Sequence, residues 1–341
     1  MKMTFQKLVI GASMAIGIST LATAPAHATS FSFNNPNEIK TYTGGSNGIF
    51  KANDTVAASK ALSDSNPSSN VELWYSTENP TSNVGFTATQ GNYSATVTSV
   101  TVSDWNSLGS QWLNDLLNTY TPFKSVWNGF SATTQSLVAS YFPSLGMGDP
   151  NVGSFQFGEN GGVDLTLVGH LDVKTKLSDT LSTKLNEAWN GGVKLLFPTN
   201  TSIATASQVQ TKISALQLTL SLPQTPAATK STLTTQIAQL TSFKDLLNFQ
   251  AALKTYQGEI GASEIAKVVT GNKTYYAYSF SPTASGITAS DDGVSYSAYY
   301  NWHTPGYTPP QKQVPESSVI LGLLSVAGVF TTRRKLKKVS I

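Results

Sequence analysis

Residues 153–173 read "GSFQFGENGGVDLTLVGHLDV", and the two halves of this stretch share one pattern. Phe155 and Phe157 alternate with polar neighbours, "GENGG" interrupts, and Val163, Leu165, Leu167, Leu171 and Val173 then fall on alternate positions. A repeat of two belongs to a strand, whose successive side chains point to opposite faces. The Gly-rich interruption supplies a turn, so the segment predicts an antiparallel strand pair. One face of the second strand is apolar, and the other carries Asp164, Thr166, Val168, His170 and Asp172.

Outward from this pair the pattern changes twice on each side. Residues 31–102 read mainly as β structure: Val71, Leu73 and Tyr75 alternate in "VELWYST", and "NYSATVTSVTV" (Asn92–Val102) is rich in β-branched residues. Turn clusters such as "GGSNG" and "SDSNPSSN" separate these runs, and a short helix fits Asp54–Leu62. Next, Ser103-Asp104 is a candidate cap for a helix bearing Leu108, Trp112, Leu116 and Tyr120, with Pro122 as its stop. Trp127 and Phe130 lead into a second helix with Leu137, Val138 and Tyr141 on one stripe, stopped by Pro143.

Residues 204–257 predict a helical hairpin. Val209, Ile213, Leu216 and Leu220 form its outgoing stripe, Pro223 and Pro226 its turn, and Leu233, Ile237, Leu240 and Leu247 its return. Many threonines lower its intrinsic helix propensity, so packing must support it. β structure then resumes: "KVVTGNKTYYAYSFS" has a Gly271-Asn272 turn, and "GVSYSAYYNW" puts Val294, Tyr296, Ala298, Tyr300 and Trp302 on one face. The expected fold class is α+β: one sandwich-like antiparallel body at residues 29–302, built from N- and C-terminal segments, with helices inserted between. Residues 303–313, "HTPGYTPPQKQ", read as a Pro-rich extended spacer.

Composition narrows the chemistry. The chain has no cysteine, which excludes disulfides, cysteine zinc sites and thiol nucleophiles. Both arginines and three lysines lie in the last nine residues, and two lysines lie in the first seven. Residues 29–314 therefore hold 15 lysines against 18 acids, so the +3 charge of the whole chain describes its ends. No basic footprint for nucleic acid is present, nor any arginine in the body for bidentate recognition of phosphate or carboxylate.

Asp164, His170 and Asp172 are the sharpest candidates for chemistry. Strand geometry places them on one face, about 6.5–7 Å apart per two-residue step, where they could present a metal or an acid/base pair. The same alternation also produces an ordinary solvated face, which is the expectation here; no metal or cofactor is predicted. A histidine-dependent hydrolase would need His170, since His303 falls in the spacer, together with a serine that nothing singles out. Glu159, Asp164 and Asp172 offer carboxylates for glycoside hydrolysis. Asp149-Pro150-Asn151 and Asp291-Asp292-Gly293 could ligate calcium but are also ordinary turns. Tyr276, Tyr278, Tyr296, Tyr300 and Trp302 could form a sugar-stacking face or pack as core beneath the helices; core is the expectation.

The ends address the chain. Lys2 and Lys7 precede an apolar run from Leu8 to Leu21, and Ala26-His27-Ala28 is an A-x-A site, so residues 1–28 read as a cleaved signal peptide. At the other end Ser317–Thr332 is an uncharged run of 16 residues, about 24 Å as a helix, followed by Arg333, Arg334, Lys335, Lys337 and Lys338. A helix satisfies its own backbone in lipid, and the basic cluster stays on the cytoplasmic side.

Val314-Pro315-Glu316, this short apolar helix and the terminal basic cluster together resemble a PEP-CTERM sorting signal over residues 314–341. "TYYAYSFSPTASGITASDDGVSY" (Thr274–Tyr296) is more loosely similar to a cyanobacterial family of such proteins. The resemblance implies recognition by an exosortase, cleavage near the Pro-Glu element, and release or attachment at the cell surface; it implies no known activity. Ser317 stands where the second proline of Pro-Glu-Pro usually sits, and permanent anchoring by the same helix is the alternative outcome. The expected protein is exported and processed by signal peptidase and an exosortase, meets the membrane through its C-terminal helix before processing, and has a non-catalytic structural or exopolysaccharide-associated role. The alternatives are a carbohydrate-binding module, or a carbohydrate-active or metal-dependent hydrolase using Asp164, His170 and Asp172.

Overall fold

The computed structural model describes residues 28–43, 49–52, 54–66, 68–73, 82–284 and 298–309. The signal peptide with Ala26, the Asp291-Asp292-Gly293 turn, Tyr296 and the sorting segment 314–341 lie outside the described residues. Among the described residues no helix is long and apolar enough to cross a membrane.

The chain opens with β1 (Ser30–Phe33), β2 (Lys40–Thr43), β3 (Ile49–Ala52), α1 (Thr55–Ser63), β4 (Asn70–Glu72), β5 (Gly85–Gln90) and β6 (Tyr93–Thr98). A first helical insertion follows: α2 (Val102–Thr119), α3 (Thr121–Asn128) and α4 (Ala132–Ala139). Then come β7 (Asn151–Phe157), β8 (Val163–Val168) and β9 (Leu171–Asp172), and a second insertion of α5 (Val173–Asn190), α6 (Ala206–Ser221) and α7 (Ala227–Thr255). β10 (Gly261–Ala262), β11 (Ala266–Thr270), β12 (Lys273–Ala277), β13 (Thr283–Ala284) and β14 (Ala298–His303) complete the body.

Two antiparallel sheets result, each joining early and late segments. In the first the order is β1-β5-β6-β11-β12, with Val268 of β11 opposite Val97 of β6. The second runs β14-β8-β7-β4-β2, flanked by the short β13 and by β3, with Tyr300 of β14 opposite Leu167 of β8. β9 and β10 form a small separate pair. Alternation turns one face of each large sheet inward. Phe86 and Phe155 meet there edge-to-face with centroids 5.7 Å apart, and Phe31 closes the cluster on both. Gly271 and Asn272 both adopt positive φ (54° and 61°), the conformation a two-residue hairpin turn between β11 and β12 demands.

The helices bury a second core. Leu108, Trp112 and Leu116 of α2 share one buried cluster with Leu177, Leu181, Leu185 and Trp189 of α5, and with Phe243, Phe249 and Leu253 of α7. The expected hairpin is α6 and α7, joined through Leu222–Pro226. Its threonine hydroxyls bond back to carbonyls four residues earlier, as Thr211 does to Ser207 and Thr234 to Lys230.

Boundaries differ from the sequence reading where one residue could serve two roles. Thr101, not Ser103, caps α2, and Asp104 is the reciprocal partner of a capping box. Pro122 sits in the first turn of α3 instead of ending α2 at a distance, because the missing N–H of proline costs nothing there. Val173 begins α5 instead of extending the strand, so Val173, Leu177, Leu181, Leu185 and Trp189 form a period-four stripe that sequence reading passed over. His303, the first residue of the expected spacer, belongs to a strand, and the residues after it dock on the body. His303 ends β14, Thr304 bonds Val163 through backbone and side chain, and Tyr307 donates its N–H to the Asn160 carbonyl.

Asp104 fastens α2 to the first sheet. Its carboxylate accepts from Thr101 N (3.0 Å), Thr101 Oγ1 (2.9 Å), Asn83 Nδ2 (3.0 Å) and Lys267 Nζ (2.7 Å). Burial pushes its pKa up, but the Lys267 ammonium and the three other donors outweigh this and hold it at about 2, below the ordinary 3.8. A depressed carboxylate contributes stability that is present above the ordinary pKa and lost as pH falls through the folded one. Thermal melts should therefore show a stability loss between about pH 4 and pH 2 that Asp104→Asn flattens. At neutral pH, Asp104→Ala is expected to cost about 2 kcal/mol by urea denaturation, the size of a lost cap with charged hydrogen bonds.

Candidate functional site

The structure separates the three residues that strand periodicity put together. Val163, Leu165 and Leu167 are buried and Asp164 is exposed, as alternation requires. The alternation stops at Gly169, whose φ of 110° turns the chain. Beyond that point His170 and Asp172 answer to other neighbours. His170 Nδ1 lies 2.8 Å from the hydroxyl of Tyr300, a side chain with no exposed surface. Burial pushes the Tyr300 phenol up, so it stays protonated. The His170 ring also lies against Gly261, where an added Cβ would come within 2.2 Å of the imidazole Cε1. Asp172 caps α5, accepting from Thr175 N (3.0 Å) and Thr175 Oγ1 (2.7 Å). His170 and Asp172 are thus committed to packing and capping. Among the described residues no three His, Asp or Glu side chains are grouped so as to hold a metal.

The aromatic residues are divided between the two cores. Tyr276 and Tyr278 pack against the helical core, and Tyr278 donates to Asp115 Oδ2 at 2.7 Å. Burial, with Asp115 beside it, raises that phenol above its ordinary pKa. Tyr300 lies between the sheets instead, and Trp302 packs partly against the same inter-sheet core. Core packing beneath the helices, the expectation for these rings, thus describes Tyr276 and Tyr278, whereas Tyr300 and Trp302 pack between the sheets, because β12 and β14 belong to different sheets.

A groove does form, on the outer face of β7, β8 and β14, with a volume of about 540 Å³. Three rows of side chains cross it, fixed by strand register. Val168 lies opposite Tyr299 at one end. In the middle Ser154 donates to Thr166 Oγ1 (2.9 Å), and Thr166 donates to Asn301 Oδ1 (3.0 Å), a ladder spanning three strands. At the other end Gln156, Asp164 and His303 stand side by side, since Gln156 pairs with Asp164 and Asp164 with His303. Ser65 and Asn66 form a wall, tied to the sheet by a 2.9 Å bond from Gln156 Nε2 to Ser65 Oγ. The side chains of Asp164 and His303 make no hydrogen bond among the described residues, and both residues are exposed.

His303 was placed by sequence in the spacer; its pairing with Asp164 depends on β14 crossing back to β8, a contact between residues far apart in the chain. Among the described residues the other candidate carboxylates do not join this site. Glu159 is exposed in the β7–β8 turn, and Asp149-Pro150-Asn151 is the entry to β7, where the Pro150 carbonyl accepts from Leu73 N and Asn151 N donates to Glu264. One motif escaped the sequence reading: Gly44-Gly45-Ser46-Asn47-Gly48 has G-x-S-x-G spacing. It lies outside the described residues, and it joins β2 to β3, an antiparallel pair, where a nucleophile elbow requires a strand-to-helix turn.

If His170 is a packing residue, its substitution should be read in stability. Tyr300→Phe is expected to cost about 1 kcal/mol, the net value of one hydrogen bond. Gly261→Val should cost more, about 2–3 kcal/mol, by driving a side chain into the imidazole. Differential scanning calorimetry of both variants checks this ordering. No family model, curated protein or solved structure matches the chain.

Proposed function

We propose that this is an exported, non-catalytic protein presented at the cell surface or in the extracellular matrix, and that its C-terminal segment is a PEP-CTERM-type sorting signal. The observation that carries the reading is the position of the two ends of the body. Ser30 of β1 pairs with Thr89, next to the β5–β6 turn, and Tyr307 hydrogen-bonds Ser94 just past that turn. The Tyr307 ring meets Tyr93 edge-to-face at 5.7 Å and lies over Gly271 in the β11–β12 turn. Both ends therefore leave from one pole of the sandwich.

The helices attach at the opposite pole. α2 follows the far end of β6, and α5 follows the far end of β8. Once the segment before Ala28 is removed, a hydrophobic segment after Val314 would hold the body at the membrane from this side, with the inserted helices on the far side. The docked 304–309 strap is a firm base for such a tether. The near-neutral, cysteine-free, arginine-free body suits a role that needs no redox chemistry and no anion recognition.

Fractionation of cells making the full chain and a chain lacking residues 314–341 tests the reading. The full chain should reach the envelope or medium with a lower mass than its precursor, whereas the shortened chain should lose surface attachment. Equal mass and equal location for both would refute it. Ser317→Pro restores the Pro-Glu-Pro order and should raise the processed fraction in a pulse-chase. Tyr307→Ala should make the strap between His303 and Pro309 cleavable in limited proteolysis while the sandwich stays intact.

A further inference from the structure

We infer that the outer groove of β7, β8 and β14 is a binding site for a neutral glycan segment. The inference rests on the surface reading for its setting, because an extracellular polysaccharide is met only outside the cell. Its chemistry comes from the groove alone. Residues two apart along a strand are about 6.5–7 Å apart, and neighbouring strands about 4.8 Å. The three rows therefore make a patch about 10 Å wide and about 14 Å long, within a volume that falls in the roughly 300–1,000 Å³ range of ligand pockets.

Each row suits one part of a sugar. The half-buried Tyr299 beside Val168 offers an apolar and aromatic surface for the C–H face of a pyranose ring. The Ser154–Thr166–Asn301 ladder leaves the Asn301 amide N–H group, on an exposed side chain, beside hydroxyls already oriented by one another. Asp164 is an acceptor with two oxygens and no partner among the described residues, suited to a pair of neighbouring sugar hydroxyls. His303, directly opposite, supplies a ring nitrogen across the same gap.

Charge selects the class. Among the described residues no lysine or arginine lines the groove, and the one carboxylate there, Asp164, stands at the centre of a row. A uronic-acid, sulfated or phosphorylated chain would meet Asp164 with like charge and find no cation to offset it, so a neutral chain is favoured. The groove is open along the face, so it would hold an internal stretch of a polymer.

The test is calorimetric titration of the full chain, purified in a detergent without a sugar headgroup. The probes are cellohexaose, maltohexaose, xylohexaose and mannohexaose, with hexagalacturonate as the anionic comparison. At least one neutral hexaose should bind at millimolar concentration or below. Tyr299→Ala and Asn301→Ala should each weaken it about tenfold, while Thr232→Ala on α7 leaves it unchanged. Asp164→Asn should narrow the gap between neutral and anionic probes, a readout that requires a folded variant and that general destabilisation would not produce. Failure of all four neutral probes, binding insensitive to Tyr299 and Asn301, or equal binding of hexagalacturonate would each overturn the inference. Cell fractionation is read separately, so loss of sugar binding leaves the export reading standing, and loss of surface delivery leaves the titration standing.

Discussion

The structure depends on how its helices are attached to two antiparallel sheets that pack on each other. Both helical insertions leave and re-enter through adjacent chain segments, and those segments are bonded to one another. Val100 N donates to the Gly148 carbonyl, Ile265 N to Met147, and Val173 N to Ile260. Each insertion is thereby a loop with its ends held together, which confines the entropy of loop closure to the insertion and lets the strands on either side keep their register. Asp104 is the charged centre of this junction, taking donors from the start of α2, from the approach to β5 and from β11. Few other ion pairs share the work; among the described residues the close ones are Lys40–Glu72 and Lys184–Glu187.

Two cores with different characters follow from this arrangement. Between the sheets the contacts are Phe31, Phe86 and Phe155 at right angles, with Tyr300 closed over by His170. Among the helices leucines are joined by ring pairs: Trp127 meets Phe249, and Trp189 stacks on Phe243. Tyr120 joins the two regions, since its hydroxyl donates to the Gly261 carbonyl and accepts from Gly261 N. The same glycine leaves room for His170, so one residue without a side chain lets a helix end, a strand and an imidazole converge. That crowding explains why the chain's most conspicuous histidine is used for packing.

Much of the architecture was legible locally. The alternation in 153–168, the Gly271-Asn272 turn and the stripes of α2, α6 and α7 are periodic signals that need no tertiary information, and each yields its expected element. Errors fell where two local rules overlapped. Leu171 and Val173 fit a strand on period two, but Val173 also opens a period-four stripe, and a capped helix with a full buried face prevailed. Proline at residue 122 reads as a stop in a sequence and as a first-turn residue in the fold. Asp172 looked like half of a chemical pair because its helix had not been recognised.

Residue order by itself determined the class of the fold: antiparallel strands at both ends, helices between, no cysteine chemistry, a body of nearly balanced charge, and hydrophobic segments flanking it. These follow from period, composition and charge, which are properties of neighbours in the chain. Tertiary structure alone decided which polar residues share a surface. Asp164 and His303 are 139 positions apart and become partners only because β14 returns to β8, whereas Asp164 and Asp172, eight apart, are parted by a single glycine turn. Strand pairing sets the register across a sheet, and no local pattern within either strand encodes which partner will lie opposite.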